Sequence, residues 1–162
     1  MRKHLNKSEI EKLQESVKEY AQVLDLIDVH TVITDPHANI IYANKAAESN
    51  TGYSKEELLG KNPGDLWGGN MPKEFFEKMW KTIKSDKKKF VGEIKNIRKD
   101  GHESWQEIHI SPILDNKGQI DYFLASEIPV QDKKETIHKL DLIWKSFIER
   151  EDEIAKLKTT QK

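Results

Sequence analysis

Cysteine is absent from all 162 residues, and this absence alone excludes several kinds of site. Disulfides, thiol nucleophiles, iron–sulfur clusters and thiolate-bound zinc or haem all require that side chain. Long apolar runs are missing as well, since no stretch approaches the ~18 residues that a membrane-spanning helix needs. The polar N-terminus is unlike a signal peptide. We therefore expect a cytoplasmic protein without a membrane segment in this chain.

An excess of charge of either sign is also missing. The chain has 27 basic and 28 acidic residues and a net charge of −1, so no global field attracts nucleic acid or an anionic membrane. The six histidines include no pair at a metal-ligand spacing such as His-x3-His. No glycine loop is followed by the lysine of a phosphate-binding motif, and no catalytic constellation is visible. We expect neither an enzyme nor a nucleic-acid-binding protein.

The strongest local signals belong to a strand followed by two short capped helices. Residues 40–43 are mostly β-formers that follow a turn-rich segment. Asn44 suits a helix N-cap because its side-chain oxygen can accept a free backbone N–H, and Gly52 suits the left-handed position that ends that helix. Ser54 and Glu57 form a capping box that begins a second short helix.

A long helix and three further strands are predicted after this stretch. The five predicted strands are residues 30–34, 40–43, 90–98, 103–114 and 119–130. The helix begins near Pro72, a residue suited to a first turn. Spacings of three and four place four of its apolar residues on one face, namely Phe76, Met79, Trp80 and Ile83.

Alternation along the last two strands gives each of them two distinct faces. In the fourth strand, Ile108 and Ile110 share the face opposite Trp105. In the fifth strand, Phe123 and Ala125 share the face opposite Tyr122 and Leu124. Because both faces of the sheet carry large apolar groups, one face is expected to cover an interior. The other needs a lid, which either an N-terminal helix or a second subunit can supply.

Amphipathic helices are predicted at both ends of the chain. The N-terminal helix begins with a capping box of Ser8 and Glu11, and its apolar seam is Ile10, Leu13, Val17, Tyr20, Leu24 and Ile27. That seam fits a helix lying on its own domain or a dimerisation helix, and both can be true. The C-terminal helix carries Trp144 and Phe147, which are costly to leave in water, so we expect a partner surface there.

Several short motifs occur in one order along the chain: Tyr42-x-Asn44-x-Ala46, Gly52-Tyr53, Glu57-Leu58-Leu59-Gly60, Arg98-Lys99-Asp100-Gly101, Trp105 and Ser111-Pro112-Ile113. Together they resemble the PAS family of sensory domains, from about residue 32 to residue 132. The resemblance implies an α+β fold, a five-stranded antiparallel sheet in the order second, first, fifth, fourth, third, with helices inserted after the second strand. The domains then divide as 1–28, an N-terminal amphipathic helix; 29–132, the PAS domain; and 133–162, a C-terminal signalling helix.

The resemblance implies a sensor that holds a small ligand between the sheet and the inserted helices and relays its state through flanking helices in a homodimer. The alternative within the family is a ligand-free interaction module. A downstream signalling partner on the C-terminal helix is also implied. PAS domains often end with Asp-Ile-Thr, and Glu127-Ile128-Pro129 stands in that place here.

FAD is the cofactor that the resemblance brings forward, although the ligand itself stays unknown. Met71-Pro72-Lys73-Glu74, Met79-Trp80 and Gly92-x-x-x-Asn96-x-Arg98-Lys99-x-Gly101 are similar to the PAS domains of bacterial aerotaxis receptors, which hold FAD non-covalently. Those domains carry a tryptophan where this chain has Phe90. Light-sensing flavin PAS domains use a cysteine, which this chain lacks. Haem is disfavoured because residues 72–84 offer no histidine.

Six residues are the candidate ligand contacts: Asn62, Trp67, Trp80, Phe90, Asn96 and Trp105. The aromatic side chains would bury a planar ring, and the asparagine amides would donate and accept hydrogen bonds at its edge. The competing interpretation makes Trp67, Trp80 and Phe90 ordinary core residues. No metal site is expected.

Overall fold

A five-stranded antiparallel sheet organises the computed structural model, which describes residues 6–130, without the side chains of residues 19 and 20. The strands are β1 (His30–Thr34), β2 (Ile40–Ala43), β3 (Phe90–Ile97), β4 (Glu103–Leu114) and β5 (Ile120–Pro129). Their order across the sheet is β2-β1-β5-β4-β3. The predicted α+β fold, the strands and the sheet order are confirmed. The predicted C-terminal helix lies outside the described residues.

The helices are α1 (Lys7–Ser16), α2 (Lys18–Leu24), α3 (Lys45–Thr51), α4 (Lys55–Leu58), α5 (Pro63–Leu66) and α6 (Lys73–Trp80), with a π-helical turn over Lys81–Ser85. The predicted caps of α3 and α4 are present. Asn44 accepts the backbone N–H of Ala47, and Gly52 ends α3 in the left-handed region at φ 79°. Ser54 and Glu57 form the capping box of α4.

The N-terminal helix differs from its prediction in two ways. Its capping box is formed by Asn6 and Glu9 rather than by Ser8 and Glu11. The helix also breaks at Val17, whose φ of −105° and ψ of 8° are not helical. On both sides of this break, residues of α1 and α2 contact the sheet.

The outer face of the sheet is covered in part by α1 and α2. Val17 is buried there with Ile33, Ile41, Tyr42 and Tyr122. Polar groups fix the same contact, because the Tyr42 hydroxyl donates to Asp25 Oδ1 at 2.5 Å and Ser16 Oγ lies 2.6 Å from Tyr122 Oη. The N-terminal helices therefore lie on their own domain, as one of the two interpretations of the seam predicted.

The inner face of the sheet packs against α3 to α6 in two separate apolar clusters. One cluster gathers around Met79, Phe90 and Phe123, and the other gathers around Val32, Leu58 and Trp67. Ala125 contacts both clusters from the middle of the sheet. The space between the two clusters is not filled by side chains.

Candidate functional site

A cavity of about 460 Å³ lies between the inner face of the sheet and the segment from α5 to the π-helical turn. Its helical wall consists of Phe76, Met79, Trp80 and Ile83, the four residues predicted to share one face. Its sheet wall consists of Val32, Ile94, Ile108, Ile110, Phe123 and Ala125. These side chains are apolar, so the cavity suits a ligand with a large apolar surface.

The rim of the cavity is built from the turn-rich segment around α5. Asn62 caps α5 by accepting the Gly64 N–H at 2.9 Å, and both residues line the cavity. Gly69 has a φ of 81°, and a Cβ there would come within 2.5 Å of the Gly64 carbonyl oxygen. This rim therefore requires glycine at that position, because any side chain would push the two backbone segments apart.

Three of the six candidate contacts line the cavity: Asn62, Trp67 and Trp80. Phe90 is buried beside it rather than on its wall, with its ring edge-on to Phe75 at 5.5 Å. The Phe90 ring lies over Gly92, where a Cβ would come within 3.0 Å of it. Phe90 therefore supports the core next to the cavity.

The other two candidates lie elsewhere. Asn96 is buried behind Trp67, where it borders a second and much smaller space. Trp105 is 46% exposed on the outer face of β4, because strand alternation turns it away from Ile108 and Ile110. Among the described residues the structure does not bring Trp105 to the cavity.

A buried carboxylate, Glu127 on β5, is the charged group of the cavity lining. Its Oε1 accepts the Trp67 indole N–H at 3.1 Å, and its Oε2 accepts the Asn96 amide at 2.6 Å. His30 Nδ1 lies 3.3 Å from the same Oε2. Three donor groups from β1, β3 and the segment after α5 thus converge on one carboxylate.

His30 lies between this carboxylate and the indole ring of Trp67, whose centre is 5.3 Å from the imidazole centre. Burial lowers the pKa of His30 below its ordinary value of 6.5, and the nearby Glu127 charge opposes the shift only in part. The imidazole is therefore neutral at neutral pH, and a proton on Nδ1 suits the contact with Glu127.

Behind Trp67, four buried polar atoms surround a space of about 10 Å³. His30 Nε2, Asn96 Oδ1, Arg98 Nε and Gln106 Oε1 have no hydrogen-bond partner among the described residues. A space of that size holds about one water molecule, and a water can both donate to and accept from these atoms. The cluster around Glu127 is therefore polar on one side and apolar on the side of the cavity.

Sequence reasoning missed Glu127 because it was assigned to the link between the last strand and the outgoing helix. The strand alternation carried the missing signal. Phe123 and Ala125 both face the cavity, and the next residue on that face is Glu127. Extending the two-residue period past the motif would have placed this carboxylate inside the protein.

Residues 28–128 match the protein family described as the PAS domain, and this match covers more than half of the chain. The chain belongs to the PAS domain family. Its fold, and the position of the cavity between the sheet and the inserted helices, are those expected for that family.

Individual relatives agree with this assignment. Over 95 residues the chain is 38% identical to a nitrogen fixation regulatory protein of Klebsiella oxytoca. The matched region covers 59% of this chain and 19% of that protein. It is 37% identical over 107 residues to a blue-light photoreceptor of Listeria monocytogenes, covering 64% of this chain and 42% of that one. The match thus spans less than half of either relative.

A solved PAS domain from Colwellia psychrerythraea superposes on this one with a TM-score of 0.61 and 29% sequence identity. The superposition covers 71% of this chain and 97% of the other. In the part of the chain that the structure describes, no helix is both long and apolar enough to cross a membrane. Within the same residues, no group of metal-ligating side chains comes together.

Proposed function

We propose that this PAS domain is a sensor that binds a planar, largely apolar small molecule in the cavity between its sheet and α5–α6. The observation that carries the proposal is the cavity of about 460 Å³. Small-molecule sites in proteins have volumes of about 300–1,000 Å³ and mostly apolar walls. A domain that only held protein partners would have no need of such a space, and large side chains would be expected to fill it.

A flavin such as FAD is the first candidate for the ligand. The apolar side chains on both walls suit a flat ring system, and the polar groups of Asn62 and Glu127 lie on the same cavity. When bound, a flavin would supply a redox centre. The chain has no cysteine, so a thiol adduct with the ring is not proposed. No histidine is among the described residues that line the cavity, and this donor set does not fit haem.

The relay of the signal is proposed to run through β5. Glu127 contacts the cavity, and two residues later β5 ends at Pro129, ahead of the predicted signalling helix. Its carboxylate also holds Trp67 and Asn96, so a ligand that moves Glu127 changes contacts on β3 and on the rim together. We further infer a homodimer in which the change of state passes to a downstream partner.

The experiment is an absorption spectrum of the chain purified without added cofactor, followed by heating and mass spectrometry of the released small molecules. We expect a released planar chromophore, with flavin bands if it is FAD. The variant Ala125→Leu should lose most of it, because added carbons on Ala125 enter the cavity. Val91→Leu, on an exposed residue of β3, is the control that introduces the same side chain away from the cavity.

A protein that releases nothing, and that shows no thermal stabilisation by FAD, FMN or other planar aromatics, would contradict ligand binding. The alternative, a PAS interaction module without a ligand, would then be the better account. Retention of the chromophore by Ala125→Leu would place its site outside this cavity.

A further inference from the structure

We propose that the cavity recognises its ligand through a hydrogen bond that the ligand donates to Glu127. The preferred ligands are then flat molecules with an N–H or O–H group on one edge, whereas equally flat molecules with acceptors alone are disfavoured. The inference rests on the proposed function, because it concerns the ligand of that same cavity.

The first step is the hydrogen-bonding role of the carboxylate. Glu127 is only 5% exposed, yet each of its oxygens accepts a hydrogen bond, from Trp67 and from Asn96. The three groups nearest to its oxygens, which are the Trp67 indole, the Asn96 amide and the His30 imidazole, are all able to donate. Towards these groups Glu127 therefore acts as a hydrogen-bond acceptor, as a carboxylate does.

The second step counts the positions that remain. An ionised carboxylate has about four acceptor positions. Trp67 and Asn96 occupy two of them, and His30 Nδ1, at 3.3 Å from Oε2, is near enough to take a third. One position is left; Glu127 lines both the cavity and the small polar space behind Trp67, and we assign this position to the cavity. A ligand donor can therefore bind there without removing a bond inside the protein.

The third step concerns the other polar side chains of the lining. Thr34 Oγ1 already donates to the Asp35 carbonyl at 3.1 Å, and Asn62 Oδ1 already accepts from Gly64 at the rim. The wall formed by α6 and the sheet is apolar. Glu127 is thus the charged group that a buried ligand edge meets, and hydrogen bonds to charged groups are stronger than neutral ones.

An acceptor placed against Glu127 would bring two electron-rich atoms together in a site without bulk water. Such a contact leaves both atoms unsatisfied and repelling each other. A flavin meets the requirement only through an edge that carries a proton, such as its imide N–H. The rule therefore predicts which edge of a flavin faces β5.

The test uses carbazole and dibenzofuran, two flat three-ring molecules of nearly equal size. Carbazole carries an N–H where dibenzofuran carries an oxygen. Titrated into the full chain and followed by fluorescence, carbazole should bind about tenfold more tightly, since one hydrogen bond to a charged group is at stake. A copurified ligand would weaken both by the same factor and leave the ratio intact.

Glu127→Gln is the informative variant, because an amide can turn to donate to an oxygen, and the ratio should fall towards one. Glu93→Gln removes the same charge from an exposed position of β3 and should leave the ratio unchanged. Equal affinities of the native protein for carbazole and dibenzofuran would overturn this inference but not the proposed function, and this measurement needs no variant. A ratio that survives Glu127→Gln would overturn the inference as well. If neither tricycle nor any flavin binds, the proposed function falls as well.

Discussion

The pKa of His30 shows how strongly the titration of one buried side chain depends on its surroundings. His30 is 2% exposed, packs against the Trp67 indole and lies 3.3 Å from Glu127 Oε2. Burial lowers its pKa, which means that the folded protein resists protonating it. The unfolded chain has no such resistance, and its histidine takes up a proton at about the ordinary value of 6.5.

The sign of the pH effect follows from this difference. Below pH 6.5 the unfolded chain binds the proton that buried His30 refuses, so the free energy of unfolding should fall as the pH drops. Urea unfolding between pH 7.5 and 5 would measure the slope. His30→Asn, which keeps an amide donor near Glu127, should flatten it. His37→Asn, at an exposed turn, is the control.

A slope that is the same in His30→Asn as in the native protein would contradict this account. The chosen range avoids the exposed carboxylates. The hydrogen bond from Lys99 lowers the pKa of Glu57 below its ordinary 4.5, so the stabilisation from this group is lost only at still lower pH. Measurements above pH 5 therefore report mainly on groups that titrate near neutrality.

Asn44 shows what a sequence can and cannot reveal about a single residue. Its role as the N-cap of α3 was predictable, since that bond is made three residues along the chain. The structure adds that its amide donates to the carbonyls of Leu24, Ile27 and Val29, while its Oδ1 also accepts the Thr31 N–H. These partners lie 13 to 20 residues away, and no local pattern specifies them.

Among the elements, the strands and the caps of α3 and α4 were predictable, whereas the cap and the packing of the N-terminal helices were less so. Alternation in β4 and β5 fixed which residues face inward, and the order of the strands came from the resemblance to PAS domains. The seam of the N-terminal helix was correctly recognised as apolar. Its break at Val17 was not recognised, because the residues that Val17 packs against are distant in the sequence.

Two substitutions in the N-terminal segment compare the effect on stability of a charge at a buried residue with that of a charge at an exposed one. Val17 is 1% exposed against the sheet, whereas Val23 is 51% exposed on α2. Val17→Asp buries an unpaired charge and should lower the free energy of unfolding by about 3 kcal/mol or more. Val23→Asp should change it by about 0.5 kcal/mol or less. Chemical denaturation of both variants is the measurement. Equal effects would mean that α1 and α2 do not cover the sheet.

For the molecule as a whole, the outer face of the sheet is covered unevenly. The N-terminal helices cover the part formed by β1, β2 and β5. At the other end, Trp105 on β4 and Val91 on β3 are 46% and 48% exposed. An exposed tryptophan is a common anchor of protein interfaces. Because residues of the helical seam already pack on the sheet, we place the proposed homodimer interface at these two partly exposed residues.

Trp105→Glu should therefore weaken self-association more than any single change on the N-terminal helices. Removing an interface tryptophan typically costs about 2 kcal/mol or more, which corresponds to at least about a thirtyfold rise in Kd. Sedimentation velocity over a range of protein concentrations would measure it. Leu26→Glu, at a residue that is 83% exposed, is the matched control.

A dimer that survives Trp105→Glu but dissociates with Leu26→Glu would indicate that the interface lies at the N-terminal helices instead. A native chain that stays monomeric at every concentration would contradict the homodimer itself. Trp105 is partly exposed, so Trp105→Glu should lower the free energy of unfolding less than a substitution at a buried residue such as Val17→Asp.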